Sequence, residues 1–532
     1  MTRPRGALRI RIALALAAAL TPAACDAVAG AATGPAYNYG TPVRVTVVPR
    51  TLELTAGEVR ALSVEVHNAS GDPLPLAVQW SVDSAGIAEV SPTGEVRGLR
   101  AGKTRVIARA GAVSGSAEVT VLPRAPASIT ITPDSIEIFT PESRTLSALV
   151  YDPDGNPLSV PVHWRSSDVS VVIVDTAGTI SGVAPGVATI EARAGDVRAV
   201  AVVRVLAPLG LEFPVVGVLN QDFYFTNHVD HQPSPGRRDF SCGPRTYDGH
   251  TGTDIVLRNF ALMDLGVPVV AAAPGRVVAV RDGLPDRNKS WNLGGGLGNY
   301  VVIEHRDGFR TYYGHLQRYS IRVTAGQVVE AGARLGNVGS SGMSDMPHLH
   351  FELRRNGEVV DPFAGPCGAT FSHWAAPYPS DDSLRLIHLG VTDVPLNLSV
   401  VKDPPSEVRV FRTSDPRLYV WVQLLNVRAG TTTRFELYRP NGTLFRTFSQ
   451  HHHSFYGMSW WWFWHDIPGY LTRPGTWRAV VWNDDTRLGE VTFEIVADSQ
   501  ADRAVAAATG PDAPSGGAAG NGFASPHPDA NR

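Results

Sequence analysis

A set of landmark residues in the first half of this chain recurs at one fixed spacing. Gly71-Asp72-Pro73-Leu74 returns as Gly155-Asn156-Pro157-Leu158, Trp80 as Trp164, Gly94 as Gly178 and Val121 as Val205, each 84 positions on (155 − 71, 164 − 80, 205 − 121). A constant offset over so many landmarks means tandem copies of one domain. Inside each copy, apolar and polar residues alternate in short runs between Gly, Pro and Asp turns, a period that suits strands and not helices. Residues 42–123 and 124–208 are therefore expected to form two β-sandwiches, with Trp80 and Trp164 in their cores.

The remainder continues the pattern. With 52 glycines and 40 prolines in 532 residues, and few helical runs, the chain reads as all-β with three or four domains. Residues 396–497 read as a further β-sandwich, reached through a linker at 368–395 whose front is rich in Pro, Ser and Asp. Within it, the run Trp460-Trp461-Trp462-Phe463-Trp464 must send alternate rings to opposite faces if it is a strand. Packing in the core and between domains is the primary expectation for these rings, with stacking on sugars as the alternative. His451-His452-His453 reads as a solvated loop, and residues 498–532, rich in Ala, Gly, Pro and Asp, as a disordered tail. A net charge of −3 gives no field for nucleic acid.

Chemistry concentrates between the tandem copies and the linker. Pro347-His348-Leu349-His350-Phe351-Glu352-Leu353 has strand character, so His348 and His350 face one way while Leu349 and Phe351 face a core. Two imidazoles on one strand can both hold a metal, or one can hold it while the other moves protons. Upstream, His250-Thr251-Gly252-Thr253-Asp254 offers a second pair. Two imidazole nitrogens and one carboxylate oxygen suit an open zinc site with a fourth position for water. Residues 298–305 and 311–316 read as two more strands, the second delivering His315. Residues 326–332 and 335–342 read as glycine-punctuated hairpins. His305 lies at a strand end and reads as structural; Tyr312 and Tyr313 read as packing, with a hydrogen bond to substrate as the second reading. His228 and His231 read as a surface loop, the sharper alternative being a segment that covers or lines the site.

HTGTD, GNYVVIEH, TYYGHL, the two glycine hairpins and PHLHFEL, in that order, resemble the lysostaphin/LytM-type zinc metallopeptidases, which cut peptide cross-links in bacterial cell walls. The resemblance covers residues 211–367. It implies an antiparallel β domain with its site in a groove, Zn2+ held by His250, Asp254 and His350, and His315 and His348 as the two catalytic, non-ligand histidines. All five positions are filled, unlike those of degenerate relatives that act as activators. The tandem copies resemble bacterial immunoglobulin-like domains, with a spacer role as the expectation. The fold class expected is thus all-β throughout: two tandem immunoglobulin-like sandwiches, the metallopeptidase domain and a C-terminal β-sandwich. The function implied is a secreted zinc metalloendopeptidase acting on peptidoglycan stem peptides or cross-bridges. The reading from another class is a non-catalytic wall adaptor or activator.

Residues 1–25 read as an export signal, with Arg3, Arg5, Arg9 and Arg11 ahead of an apolar run at 12–20 that is too short to span a bilayer. Thr21-Pro22-Ala23-Ala24-Cys25 resembles a lipoprotein processing site except at Pro22, where a leucine-like residue is usual. A lipid on Cys25 with membrane attachment, and ordinary cleavage with release, are the two expectations. The destination is periplasmic, envelope-anchored or extracellular. Cys242 and Cys367 bracket the catalytic domain, and a disulfide between them is expected in an oxidising compartment.

Overall fold

The structure, a computed structural model, describes residues 40–290, 294–378, 381–498 and 522–524. The export segment and Cys25 lie outside the described residues. The described chain is all-β and divides into two compact units. One holds the residues up to Ala127 together with Tyr151–Leu158; the other holds Ser128–Val150 and everything from Ser159 onward.

In the first unit, Thr51–Thr55 runs parallel to Val113–Leu122, which pairs in turn with Gly102–Ala110 and then Gln79–Val82. Val47, Leu54, Val106, Val119 and Val121 fill the core between this sheet and the smaller ones facing it. In the second unit the corresponding segments repeat the order: Ser135–Phe139 parallel to Val197–Leu206, then Gly186–Ala194, then His163–Ser166. The 84-residue repeat is thus a repeat of topology. The tryptophans depart from expectation, because Trp80 is only partly buried at the edge of its core. Its ring covers Gly94, where a Cβ would fall 2.9 Å from Trp80 Cζ2, and Trp164 covers Gly178 likewise at 2.8 Å. Gly94 and Trp80 recur together because a side chain at the glycine would displace the ring.

The second immunoglobulin-like copy is docked on the domain that follows, not merely tethered to it. Phe139 stacks on Phe371 at 4.7 Å and packs beside Phe309 and His373. Glu137 and Arg204 form ion pairs with Arg355 and Asp307 at 2.7 and 2.9 Å.

The central domain is built on one antiparallel sheet. Its strands in chain order are β1 (Phe223–Asn227), β2 (Thr253–Leu257), β3 (Gly275–Arg281), β4 (Asn299–Glu304), β5 (Phe309–Leu316), β6 (Val328–Val329), β7 (His348–Arg355) and β8 (Glu358–Val360). Across the sheet the order is β1-β2-β7-β5-β4-β3-β6, with β8 on β7. The expected alternation holds in β7: Leu349, Phe351 and Leu353 are fully buried and pack with Tyr313, Val301, Ile303 and Val277 on the core face. His348, His350 and Glu352 share the other face. A separate two-stranded antiparallel pair, Pro268–Val270 with Arg334–Asn337, closes the core through Val269 and Leu335. Cys242 and Cys367 are disulfide-bonded, with Cα atoms 5.2 Å apart and 125 residues between them. In a chain-entropy account a closed loop that long contributes about 4 kcal/mol or more.

The C-terminal domain is a sandwich of two sheets. One contains Arg385–Thr392, β9 (Arg417–Val427) and β10 (Tyr456–Asp466); the other contains Val410–Arg412, Thr432–Tyr438, Leu444–His451, Gly475–Asn483 and Thr486–Val496. Several expectations are corrected here. The segment read as a linker at 368–395 carries Trp374, buried in the central core, and Phe371, buried against Phe139, and then the first strand of the sandwich, so the sandwich begins before residue 396. The segment read as a disordered tail contributes the strand Gly522–Ala524, paired with Trp462–Trp464, and Asp498 accepts hydrogen bonds from Thr413 and Ser414. His452, read as part of a solvated loop, is buried against Trp461 and bonds Thr433 Oγ1 at 2.8 Å.

The tryptophan run follows the primary expectation. Trp461 and Phe463 point into the sandwich core. Trp460 and Trp462, each 3% exposed, join Trp421, Tyr419 and Val401 against Val256 and Met346 of the central domain. Those two rings are covered by protein and leave no face for a sugar. Among the described residues no helix is long and apolar enough to cross a membrane.

Candidate metal centre

β2 and β7 are neighbours, and their register sets Asp254 opposite His350 on the face away from the core. His250 sits just ahead of β2, and the chain between them passes under His350. A Cβ at Gly252 would lie 2.7 Å from His350 Nε2 and 2.8 Å from the Phe351 carbonyl, so the middle of HTGTD must be glycine. One ligand atom each from His250, Asp254 and His350 lies within 4.8 Å of the other two, and all three residues are buried. Asp254 Oδ1 is 2.9 Å from His350 Nδ1 and 3.3 Å from His250 Nε2.

The ring orientations follow from the partners of the opposite nitrogens. His250 Nδ1 is 2.8 Å from the His228 carbonyl, which can only accept, so this nitrogen donates and Nε2 is the one turned to the centre. His350 is turned the other way: Nε2 is 3.2 Å from Glu352 Oε1, which leaves Nδ1 for the centre. Asn227 Nδ2 donates to Asp254 Oδ2 at 2.9 Å and leaves Oδ1 facing inward. Such outer partners fix the ligands before anything binds. Glu352 is itself held by Thr251 Oγ1 and by Arg354 Nε at 2.7 Å.

His315 and His348 stand beside the three, with ring centroids 4.6 Å apart; His315 is 5.7 Å from His350 by the same measure. His315 Nδ1 donates to the Ser341 carbonyl at 2.7 Å and His348 Nδ1 to the Met346 carbonyl at 2.8 Å. Both therefore turn Nε2 toward the centre, and that of His348 is 3.6 Å from Asp254 Oδ1. His315 has φ = 59°, a left-handed conformation that costs a non-glycine residue about 1–2 kcal/mol. Its backbone N–H bonds the Leu297 carbonyl at 2.7 Å, which helps hold the strained residue in place.

Charge in this pocket is unbalanced. Burial alone would raise the Asp254 carboxyl, but the surrounding imidazoles, His250 and His348 foremost, outweigh it and hold it well below the usual carboxylate range. Glu352 is likewise brought to about 2 against the effect of burial, by its bonds to His350, Arg354 and Thr251. Burial would depress His350, yet the two carboxylates raise it to about 9. His315 has no carboxylate on its ring, and burial together with His348 and His350 keeps it neutral. The centre thus holds two anionic carboxylates that draw a positive charge to the position between His250, Asp254 and His350. Two imidazole nitrogens and a carboxylate oxygen, buried and oriented by outer partners, fit a divalent ion of borderline softness.

The other candidate residues have structural places. His228 is buried among Phe225, Phe240 and Phe363, and burial with the nearby Arg245 guanidinium brings it down to about 3. It is neither a surface residue nor a cover; its carbonyl orients His250. His231 bonds Asp361 at 2.7 Å. His305 bridges the Pro274 carbonyl and Thr311. Tyr313 is in the core, its hydroxyl accepting from Ala272 N–H. Tyr312 pairs with Glu352 in register and lies on the site face. With Leu297, Ala279, Arg281, Tyr300 and Val302 it lines a groove of about 570 Å³ over β3–β5.

Residues 248–362 match the model of Peptidase family M23, and residues 43–121 and 126–205 each match the bacterial Ig-like domain (group 2). Over 98 residues the chain is 40% identical to the lipoprotein NlpD/LppB homolog of Pseudomonas aeruginosa, covering 18% of this chain and 29% of that protein. Over 112 residues it is 38% identical to the peptidoglycan DD-endopeptidase ShyA of Vibrio cholerae, covering 21% and 22%. Over 117 residues it is 38% identical to the DD-carboxypeptidase/endopeptidase Mpg of Neisseria meningitidis, covering 22% and 23%. The chain therefore spans less than a third of the length of these curated relatives. Among solved structures it is similar to the catalytic domain of the peptidase lysostaphin from Staphylococcus simulans, at 27% identity, with 27% of this chain and 90% of that one covered and a TM-score of 0.18. This chain carries an M23 peptidase domain behind two bacterial immunoglobulin-like domains.

Proposed function

We propose that the chain is an exported, zinc-dependent endopeptidase that hydrolyses peptide bonds in peptidoglycan stem peptides or cross-bridges. The observation that carries the reading is the convergence of His250, Asp254 and His350 beside two histidines whose Nε2 atoms face the same point. The wall substrate is supported by the Vibrio peptidoglycan DD-endopeptidase and the Neisseria DD-carboxypeptidase/endopeptidase, similar over the matched domain, and the exported location by residues 1–25 and the disulfide.

In this reading His250 Nε2, Asp254 Oδ1 and His350 Nδ1 hold the ion. Zinc there supplies Lewis acidity, lowering the pKa of water from about 15.7 toward about 7 and polarising a carbonyl. The remaining chemistry belongs to the chain's own residues. His315 or His348 accepts a proton at Nε2 from the attacking water and returns it to the departing amine. Whichever ring is protonated then also stabilises the developing oxyanion, at short range and away from bulk water. The groove over β3–β5 receives the peptide, with Tyr312, Tyr300 and Arg281 along its floor. Digestion of purified sacculi, with new termini read by mass spectrometry, tests the assignment: cleavage inside peptides supports it.

Glu352 has a defined part in this account. By holding His350 Nε2–H it presents Nδ1 to the ion, so Glu352→Gln, which keeps the shape and removes the charge, is expected to weaken zinc binding roughly 10- to 100-fold. Competition against a chromophoric chelator measures this, and an unchanged affinity would remove Glu352 from the centre.

A further inference from the structure

The residues that lead into His348 are held from outside the central domain. The His348 ring is oriented by the Met346 carbonyl, at 2.8 Å, and so depends on where the loop 342–347 lies. Ser344 ties that loop inward, its Oγ within 2.8 Å of both the Met346 carbonyl and Ser340 Oγ. The next two side chains turn to the C-terminal sandwich. Asp345 accepts a hydrogen bond from Lys402 Nζ at 2.6 Å. Met346 packs into the cluster formed by Trp421, Trp460, Trp462 and Val401. That cluster also contains Val256, which pairs with His348 in register and lies two residues from Asp254.

Lys402 is the unusual member. It is 1% exposed at the end of the short helix Leu398–Lys402. A buried ammonium is unfavourable unless paired and hydrogen-bonded, and here its partner is the side chain next to the residue that orients His348. The direction of the bond matters: it fixes the loop against the sandwich at one point, while the tryptophans fix it at the adjacent residue.

We propose that Lys402 and Asp345, backed by the tryptophan face behind Met346, are positioning residues for His348, so that the C-terminal sandwich is a working part of the catalytic unit. This rests on the reading of His348 as a proton carrier given above. Displacing a reacting group by about 1 Å can cost on the order of 10²-fold in rate.

The test is Lys402→Met, which keeps the volume and removes the charge, in the full chain and in a His348→Ala background. The expected single variant retains about one zinc per chain and cooperative unfolding. It shows little change in KM on a stem peptide, a fall in kcat of roughly tenfold or more, and faster amide exchange at 343–347. In the His348→Ala background Lys402→Met should cost nothing further, because its effect runs through His348. An unchanged kcat, or an equal loss in both backgrounds, overturns the proposal. If Lys402→Met does not fold, Asp345→Asn, at the more exposed end of the pair, is read against the same outcomes. Absence of hydrolysis by the unmodified chain would instead defeat the parent reading. In that case unchanged exchange at 343–347 in Lys402→Met would overturn the bracing on its own.

Discussion

His350→Ala is expected to take the metal content of the purified chain from about one zinc per molecule to near zero, and hydrolysis to background with it. The residue stands at the middle of the centre. Its Nδ1 is within 2.9 Å of Asp254 Oδ1 and 3.3 Å of His250 Nε2, and its other nitrogen is held by Glu352. Alanine removes one of three ligands and leaves the Glu352 carboxylate buried without its imidazole partner. Two ligands do not make a stable zinc site in a family of sites that needs three and an open position. Elemental analysis of the folded variant measures the result. Full zinc occupancy would show that the ligand set is wrong.

His315→Ala is expected to behave in the opposite way, keeping zinc while turnover falls roughly 10²- to 10⁴-fold, the scale of a general acid–base group. His315 lies one ring away from the ligands, is kept neutral by burial and the neighbouring imidazoles, and has its Nδ1–H committed to Ser341. Its backbone is left-handed, so alanine alone could disturb the strand. His315→Asn, a residue that tolerates that conformation, separates the two effects. Equal losses in both variants, with zinc retained, place the effect in the imidazole. Loss of zinc in either would mean that ligand and proton-carrier roles have been exchanged.

Much of this site was legible because it rests on the period of a strand. Two residues apart means one face, so His348 and His350 could be joined from their spacing, and the buried Leu349 and Phe351 confirmed the other face. The same step carries on to Glu352, which the strand period places on the face of His348 and His350. His228 was not legible in this way. It acts on His250 through a backbone carbonyl, which any residue possesses, while its side chain does no more than pack. The positions of Asn227 and Tyr312 depend on which strands neighbour β2 and β7, and register between distant strands is not written in local pattern.

The C-terminal half shows the complementary limit. Alternation in the tryptophan run correctly separated Trp461 from Trp460 and Trp462, but the partner of the outer rings is a surface more than a hundred residues earlier in the chain. The first strand of the sandwich, Arg385–Thr392, has Leu386, Leu389 and Val391 to mark it. The Pro, Ser and Asp residues just ahead of it carry a linker's composition up to the strand and mask where it starts. His452 lies just past the strand Leu444–His451 and turns inward beside Trp461, a placement that a run of three histidines does not mark.

The most direct measurement is of the bonds that disappear. Purified sacculi are incubated with the chain as isolated, with the chain stripped by a chelator, and with the stripped chain given one equivalent of zinc. New amino and carboxyl termini in the released fragments are then identified by mass spectrometry. The account expects termini inside stem peptides or cross-bridges with the isolated chain, none with the stripped chain, and their return on adding zinc. Intact peptides in all three digests, or the same cleavage with and without metal, would contradict it.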